Sequence, residues 1–151
     1  MAHIQNKKAH FDYAIEDKFE AGLVLNGWEV KAVRAGRAQI KESHIFVRNG
    51  ELFLLNSQIV PLDTASTHER AEPTRTRKLL MHKQEIMRLI GKVERAGYTL
   101  IPLDMHFKGS RVKIQVGLGK GKREFEKRAD ESKKQWKRDQ ERLLKTRTRR
   151  G

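Results

Sequence analysis

Six histidines (His3, His10, His44, His68, His82 and His106) are the first residues to weigh for chemistry, because imidazole serves as acid, base and metal ligand. No two stand at the i, i+4 spacing of a helical metal pair, and no carboxylate recurs beside them at a fixed interval. Cysteine is absent, which removes disulfides, thiolate zinc sites and cysteine nucleophiles. Asp12, Glu16, Asp17 and Glu20 cluster in one short stretch. Metal-dependent nuclease work is one reading of them; helix capping by Asp17 with Glu20 is the plainer one. Gly117-Leu118-Gly119-Lys120-Gly121 has the glycines and lysine of a phosphate loop but lacks the full Gly-x-x-x-x-Gly-Lys-Ser/Thr pattern. No catalytic constellation emerges, and no metal or cofactor is called for.

What remains is cationic chemistry. The 151 residues hold 33 Lys+Arg against 19 Asp+Glu, a formal net charge of +14. Such an excess attracts polyanions, and nucleic acid and anionic membrane are the two candidates. No run approaches the roughly 20 apolar residues of a membrane helix. The start, Met-Ala-His-Ile-Gln-Asn-Lys-Lys, lacks the apolar stretch of a secretory signal. A soluble, cytoplasmic protein is expected.

The charge is uneven. Residues 1–119 carry a net +6 and residues 120–151 a net +8, and in the latter only Phe125, Ala129, Trp136, Leu143 and Leu144 are apolar. Five apolar residues cannot offset the ordering entropy of about thirty. The expected organisation is a folded RNA-binding body over 1–121 and a basic tail over 122–151.

The body must position whatever the cations do. His10 to Ile15 alternates as a strand, Glu16 to Leu25 reads as a short helix, and Trp28 to Val33 as another strand. Arg34-Ala35-Gly36-Arg37 reads as a basic turn. His44 to Arg48 and Glu51 to Leu55 flank Asn49-Gly50, a strong hairpin signal. Gln58 to Leu62 adds a strand or an edge. Residues 63–78 read as a long loop ending in Arg75-Thr76-Arg77-Lys78. Ile86, Leu89, Ile90 and Val93 predict a helix over 82–96, stopped at Gly97. Tyr98 to Phe107 and Arg111 to Leu118 are two more strands. This count predicts a mainly-β fold: an oligonucleotide-binding (OB-like) antiparallel β-barrel with flanking helices.

The tail has no Gly or Pro between Lys122 and Arg150 and is rich in Lys, Arg, Glu and Gln, so helix is permitted. Phe125, Ala129, Trp136 and Leu143 fall on one face. The stripe is thin, so the expected behaviour is disorder when free and helix on a partner. A solvated electrostatic arm is the bland alternative. The stripe is too narrow for a good membrane anchor, and Phe125 and Trp136 suit RNA, whose bases stack on flat rings.

Six segments in register then carry a resemblance: Asn6-Lys7-Lys8-Ala9-His10, Phe19-Glu20-Ala21-Gly22-Leu23, Gly27-Trp28-Glu29-Val30-Lys31, Arg34-Ala35-Gly36-Arg37-Ala38, Arg75-Thr76-Arg77-Lys78-Leu79-Leu80 and Gly117-Leu118-Gly119-Lys120-Gly121-Lys122. From about residue 6 onward the chain resembles the SmpB, or SsrA-binding protein, family. The resemblance implies a non-enzymatic adaptor of trans-translation. Members bind the tRNA-like domain of transfer-messenger RNA and, with elongation factor Tu in the delivered complex, bring it to stalled ribosomes, where the incomplete peptide is tagged for proteolysis. It implies RNA contacts at Asn6, Lys7, Glu20, Leu80, His82, Gly117, Leu118, Gly119, Lys120 and Gly121. Arg34, Arg75, Arg77 and Lys78 are candidate phosphate contacts, and for Leu80 core packing is the alternative. A carboxylate such as Glu20 can accept two hydrogen bonds from a guanine edge or orient an Arg. Glycines in a turn let backbone approach sugar-phosphate.

In the tail, Lys122, Arg123, Glu126, Lys127 and Arg128 resemble the segment that meets the small-subunit decoding centre. Phe125 keeps a flat ring where His or Tyr is usual. Glu126 replaces Asp, His82 replaces Asn and Gly119 replaces Ala. Trp136, Leu143 and Leu144 match apolar positions further along, toward the empty mRNA channel. A general ribosomal or RNA-chaperone protein is the competing binding role, and a ribonuclease or RNA-modifying enzyme using Glu20 the competing enzymatic one.

Overall fold

The computed structural model describes residues 3–62, 71–122 and 124–150, without the side chains of 124–127, 130 and 144–150. After a short strand β1 (Ile4–Gln5), the Asn6 side chain accepts the Ala9 backbone N–H at 3.2 Å and starts helix α1 (Lys7–Asp12). The chain then enters β2 (Tyr13–Leu23), helix α2 (Gly27–Arg34) and β3 (Ala38–Gln39). Strands β4 (His44–Arg48), β5 (Glu51–Leu55), β6 (Gln58–Ile59) and β7 (Arg77–Leu80) follow. Helix α3 (Lys83–Ala96), the long pair β8 (Thr99–Lys108) and β9 (Arg111–Gly121), and helix α4 (Glu124–Arg150) complete it.

Several expectations hold for the reasons that suggested them. Asn49 and Gly50 both take positive φ, 51° and 72°, the geometry a two-residue hairpin demands, and they pair His44↔Leu55 through Arg48↔Glu51. Gly97 caps α3 at φ 71°. Residues 58 and 59 join β3 in a separate two-stranded sheet.

Two elements are the reverse of what the pattern suggests. The stretch expected as a helix from Glu16 to Leu25 is the strand β2, which pairs along β9 from Tyr13↔Gly121 to Gly22↔Lys113 and with β7 at Gly22↔Leu80. A helix there would put Phe19 and Leu23 on one face, scatter Ala21, Val24 and Leu25 away from it, and carry Gly22 inside it, at about 1 kcal/mol relative to Ala. The sheet instead satisfies its backbone on two sides. The stretch expected as a strand from Trp28 to Val33 is helix α2. Its signal is the pair Asn26 and Glu29, in which Glu29 Oε1 accepts the Asn26 N–H at 2.8 Å. Trp28, Ala32 and Val33 are buried together, which suits a helical period and not a period of two. Likewise, residues 10–12 belong to α1, and only Tyr13 to Ile15 are strand.

The main sheet is antiparallel, in the order β1-β8-β9-β2-β7-β5-β4. The fold is mainly β with flanking helices, but the expected closed barrel is not formed by the ladder. β4 runs alongside β8 with Cα atoms within 8 Å and no ladder between them. The edge of β8 is partly taken by β1, at Ile4↔Met105 and Gln5↔Asp104. Alternate residues of the strands, such as Ala21, Leu52, Leu54, Leu79, Ile114 and Val116, fill the core with α2 and with Leu89 of α3. Ala9, Ile101 and Leu103 form a second, smaller cluster under α1.

The core also holds two charges. Glu29 and Arg77 are both fully buried. Arg77 Nε donates to Glu29 Oε2 at 2.5 Å, and its Nη1 donates to Ser57 O at 3.0 Å and Ser57 Oγ at 2.9 Å. Its Nη2 donates to Pro73 O at 3.1 Å. Arg75 Nη2 reaches Glu29 Oε1 at 2.5 Å. Burial alone pushes the Glu29 carboxyl upward, but the hydrogen bonds from Arg75, the Asn26 N–H and Arg77 outweigh it and hold the carboxyl below its ordinary value. Burial pulls the Arg77 guanidinium below its ordinary value, against the opposing attraction of Glu29.

Removing one partner strands the other without water. Arg77→Met should therefore cost about 3–5 kcal/mol, measured by urea unfolding at neutral pH. A carboxyl depressed in the folded state gives stability that is present above its unfolded value and lost as pH falls through the folded one. The wild type should accordingly lose stability below about pH 5 more steeply than Glu29→Gln, and parallel acid limbs would contradict the network.

Candidate nucleic-acid interface

The register of the sheet decides which side chains share its outer face. On β2, Phe19, Ala21 and Leu23 point inward, so Lys18, Glu20 and Gly22 face out. Across the ladder, Glu20 pairs with Gln115 and Gly22 with Lys113 on one side and Leu80 on the other. β7 alternates in the same way, with Arg77 and Leu79 buried and Lys78 and Leu80 outward. The next strand adds Lys108 opposite Arg111 and His106 opposite Lys113. The result is a surface of Lys18, Lys78, Lys108, Arg111 and Lys113 around Glu20 and Leu80. Glu20 Oε1 lies 3.8 Å from Lys108 Nζ. Leu80 is 54% exposed, so it is a surface side chain and not a core one. It borders a cleft lined by Gly22, Leu25, Val30 and Val112.

Cations crowd one strip of an open sheet, and a polyanion that lies across them gains charge-assisted contacts at several points. Sequence reasoning did not single out Lys18, Lys108, Arg111 and Lys113. The alternation Arg111-Lys113-Gln115 was visible, but the cross-strand neighbours were not, because residues 16–25 read as helix.

The other candidate positions divide between surface and interior. Lys7 is exposed at the start of α1, and His82 is exposed at the start of α3 without capping it through its side chain. Arg34 is exposed, with its guanidinium carbon 5.4 Å from the centre of the Phe107 ring. Lys78 Nζ donates to Glu51 Oε1 at 3.0 Å. Arg75 is partly exposed while bound to Glu29.

Arg77 is corrected from a phosphate contact to a core ion, since it is fully buried and its guanidinium is engaged inside. Asn6 is 3% exposed and is occupied in capping α1 and in donating to Pro102 O at 2.9 Å and Ile40 O at 3.3 Å. Its side chain is therefore committed to holding α1 against β8 and the Ile40 carbonyl.

The run from Gly117 to Gly121 is also corrected: it is the end of β9 and not a turn. Gly117, Leu118 and Gly119 are buried. A Cβ at Gly119 would lie 2.3 Å from the Ala14 carbonyl oxygen, and one at Gly117 2.9 Å from Leu103. These glycines let protein approach protein. An Ala at 119 requires the adjoining bulge of β2, between Ile15 and Asp17, to shift. Lys120 and Gly121 are exposed. Lys120 Nζ sits 4.7 Å from the centre of the Tyr98 ring, and the Tyr98 hydroxyl donates to Glu16 Oε2 at 2.5 Å. That hydrogen bond, more than burial, raises the Tyr98 phenol above its ordinary value.

The tail begins against α1. Lys122 N donates to Asp12 O at 2.8 Å, and its Nζ donates to His10 O at 3.2 Å. Arg128 is exposed on α4, as are Trp136 and Leu143, each 65%. Arg123 and the side chains of Phe125, Glu126, Lys127 and Leu144 lie outside the described residues. Among the described residues no group of His, Asp and Glu could hold a metal ion, and no helix is long and apolar enough to cross a membrane.

Comparison with known proteins agrees over nearly the whole length. The SmpB protein family matches residues 3–146. An SsrA-binding protein of Nitrosomonas europaea is 61% identical over 147 residues, covering 97% of this chain and 97% of the relative. One from Azoarcus is 61% identical over 144 residues, covering 95% and 97%. A solved structure described as "tmRNA-SmpB: a journey to the center of the bacterial ribosome" superposes with a TM-score of 0.67 at 41% identity, over 82% of this chain and 87% of that one. Matched by the family over residues 3–146 and by relatives along nearly its full length, the chain belongs to the SmpB protein family.

Proposed function

We propose that this protein binds the tRNA-like domain of transfer-messenger RNA and helps deliver it to stalled ribosomes for trans-translation. The observation that carries the reading is the outward strip on β2, β7, β8 and β9, where exposed Leu80 and Glu20 stand among lysines and arginines in a chain of this family. The cations supply phosphate affinity, which is sequence-independent and falls steeply with salt. Leu80 and Glu20 add an apolar contact and a directed acceptor that phosphate alone does not reward. In this reading the sheet works as an OB-type barrel, supported by the approach of β4 to β8. Elongation factor Tu accompanies the delivered complex, and the work is cytoplasmic.

The two-part organisation completes it. Residues 1–121 hold the RNA, and residues 122–151 enter the decoding centre and the empty mRNA channel. Support comes from the net +8 of residues 120–151 and from the exposure of Trp136 and Leu143 on α4. A helix with so thin a stripe draws its stability from a partner.

Binding to transfer-messenger RNA should exceed binding to bulk tRNA at physiological salt, and equal affinities would end the adaptor reading. Leu80→Ala should weaken that binding while leaving the unfolding free energy from urea titration within about 0.5 kcal/mol of wild type. Asn6→Ala should instead lower stability by about 1 kcal/mol or more, because it removes a buried cap. Truncation after Gly121 should leave RNA binding nearly intact and abolish tagging on stalled ribosomes. A peptide spanning 122–150 should have low helicity by circular dichroism in plain buffer, and strong helicity there would contradict folding on the partner.

A further inference from the structure

The Asn49-Gly50 turn sets Phe46 directly opposite Phe53, with Arg48 opposite Glu51 and His44 opposite Leu55. The two rings stack with centroids 5.4 Å apart and planes 25° apart. Neither ring is part of the core. The inward side chains of this hairpin are Ile45, Leu52 and Leu54, while Phe46 and Phe53 stay half-buried outside both apolar clusters. Phenylalanine is usually buried, so two of them stacked on each other at the surface call for an occupant.

We infer that Phe46 and Phe53 form a base-stacking platform for an unpaired stretch of RNA, continuous with the interface above. Register supplies the continuity. Phe53 pairs with Lys78, Lys78 is two residues from Leu80, and Leu80 pairs with Gly22, two residues from Glu20. The period of two therefore puts Phe46, Phe53, Lys78, Leu80 and Glu20 on one face of the sheet. Charge supplies the occupant. The rings are an island bordered by Arg48, Lys78 and Glu51, with Lys78 held to Glu51 at 3.0 Å and Arg48 exposed. A stable protein partner needs a far broader apolar surface. A nucleobase matches a ring in size, and its phosphate falls within reach of the neighbouring cations. β4 is last in the ladder and, among the described residues, no strand is hydrogen-bonded beyond it (β8 runs alongside without a ladder), so a base can extend the stack from Phe46. Bases of a duplex are already stacked, which selects a single-stranded segment.

The inference rests on the RNA-binding reading, but the two fail separately, since selectivity for transfer-messenger RNA over tRNA is measured without reference to these rings. The test uses the full chain and a single-stranded RNA of about 12 nucleotides carrying 2-aminopurine, at fixed salt. Wild type should quench the probe as it binds. Phe46→Leu and Phe53→Leu should each weaken binding about tenfold and restore fluorescence, while Phe46→Tyr keeps both. Leucine variants that bind and quench as wild type does would overturn the platform. If a leucine variant fails to fold, ultraviolet crosslinking of the wild type to the same RNA decides. A crosslink mapped to Phe46 or Phe53 supports the platform, and its absence from both overturns it.

Discussion

The Glu29 carboxylate receives the guanidinium groups of Arg75 and Arg77 and the N–H of Asn26, joining segments far apart in the chain. It begins α2, anchors the entry to β7, and through Arg77 reaches Ser57 and Pro73. A buried ion pair of this kind adds little net stability over a well-packed apolar substitute, because desolvation offsets the attraction. It does exclude alternatives. With Arg77 held inside, Leu79 must also face in and Lys78 and Leu80 must face out. A slip of one residue in β7 would expose the guanidinium and bury the lysine, so the register that presents Leu80 follows from the ion network.

From that register the outer face is assembled by pairing alone. β7 sets Leu80 beside Gly22, β2 carries Glu20 two residues away, and β9 and β8 bring the lysines and arginine across the ladder. Gly22 leaves Leu80 room, since a Cβ there would lie 3.3 Å from the Leu80 Cβ. The glycines of β9 have a related role on the opposite end, letting β2 and Leu103 press close. Close packing of strand on strand and a charged outer face are thus consequences of the same alternation. The hairpin of β4 and β5 extends that face and adds aromatic rings to it.

The excess charge acquires two meanings when it is divided by position. Part of the body's share lies on the sheet, where the ladder sets the spacing between cations. The tail's larger share lies mostly on α4, whose described side chains are exposed, and the preceding Lys122 is hydrogen-bonded to α1. The two shares of charge thus sit on different elements, the sheet and α4, and this division underlies the proposal of two RNA contacts.

Much of this was legible in residue order. The basic excess, its concentration after residue 119, the hairpin at Asn49-Gly50, the helix ended by Gly97 and the family motifs all depend on local chemistry or on composition. The inversions at 16–25 and 28–33 depended on what was not local. β2 is a strand because its backbone partners lie far along the chain, from Tyr13↔Gly121 to Gly22↔Lys113 on β9 and at Gly22↔Leu80 on β7. Its own pattern suits a weak helix equally well. Arg77 and Asn6 looked like surface groups because their types usually are, and only packing could turn them inward and satisfy them there. Sequence by itself determined that the protein is a cation-rich, mainly-β binder of polyanions with a basic tail. Tertiary structure decided which cations remain free to bind, because burial and hydrogen bonding are properties of neighbours that the chain brings together only on folding.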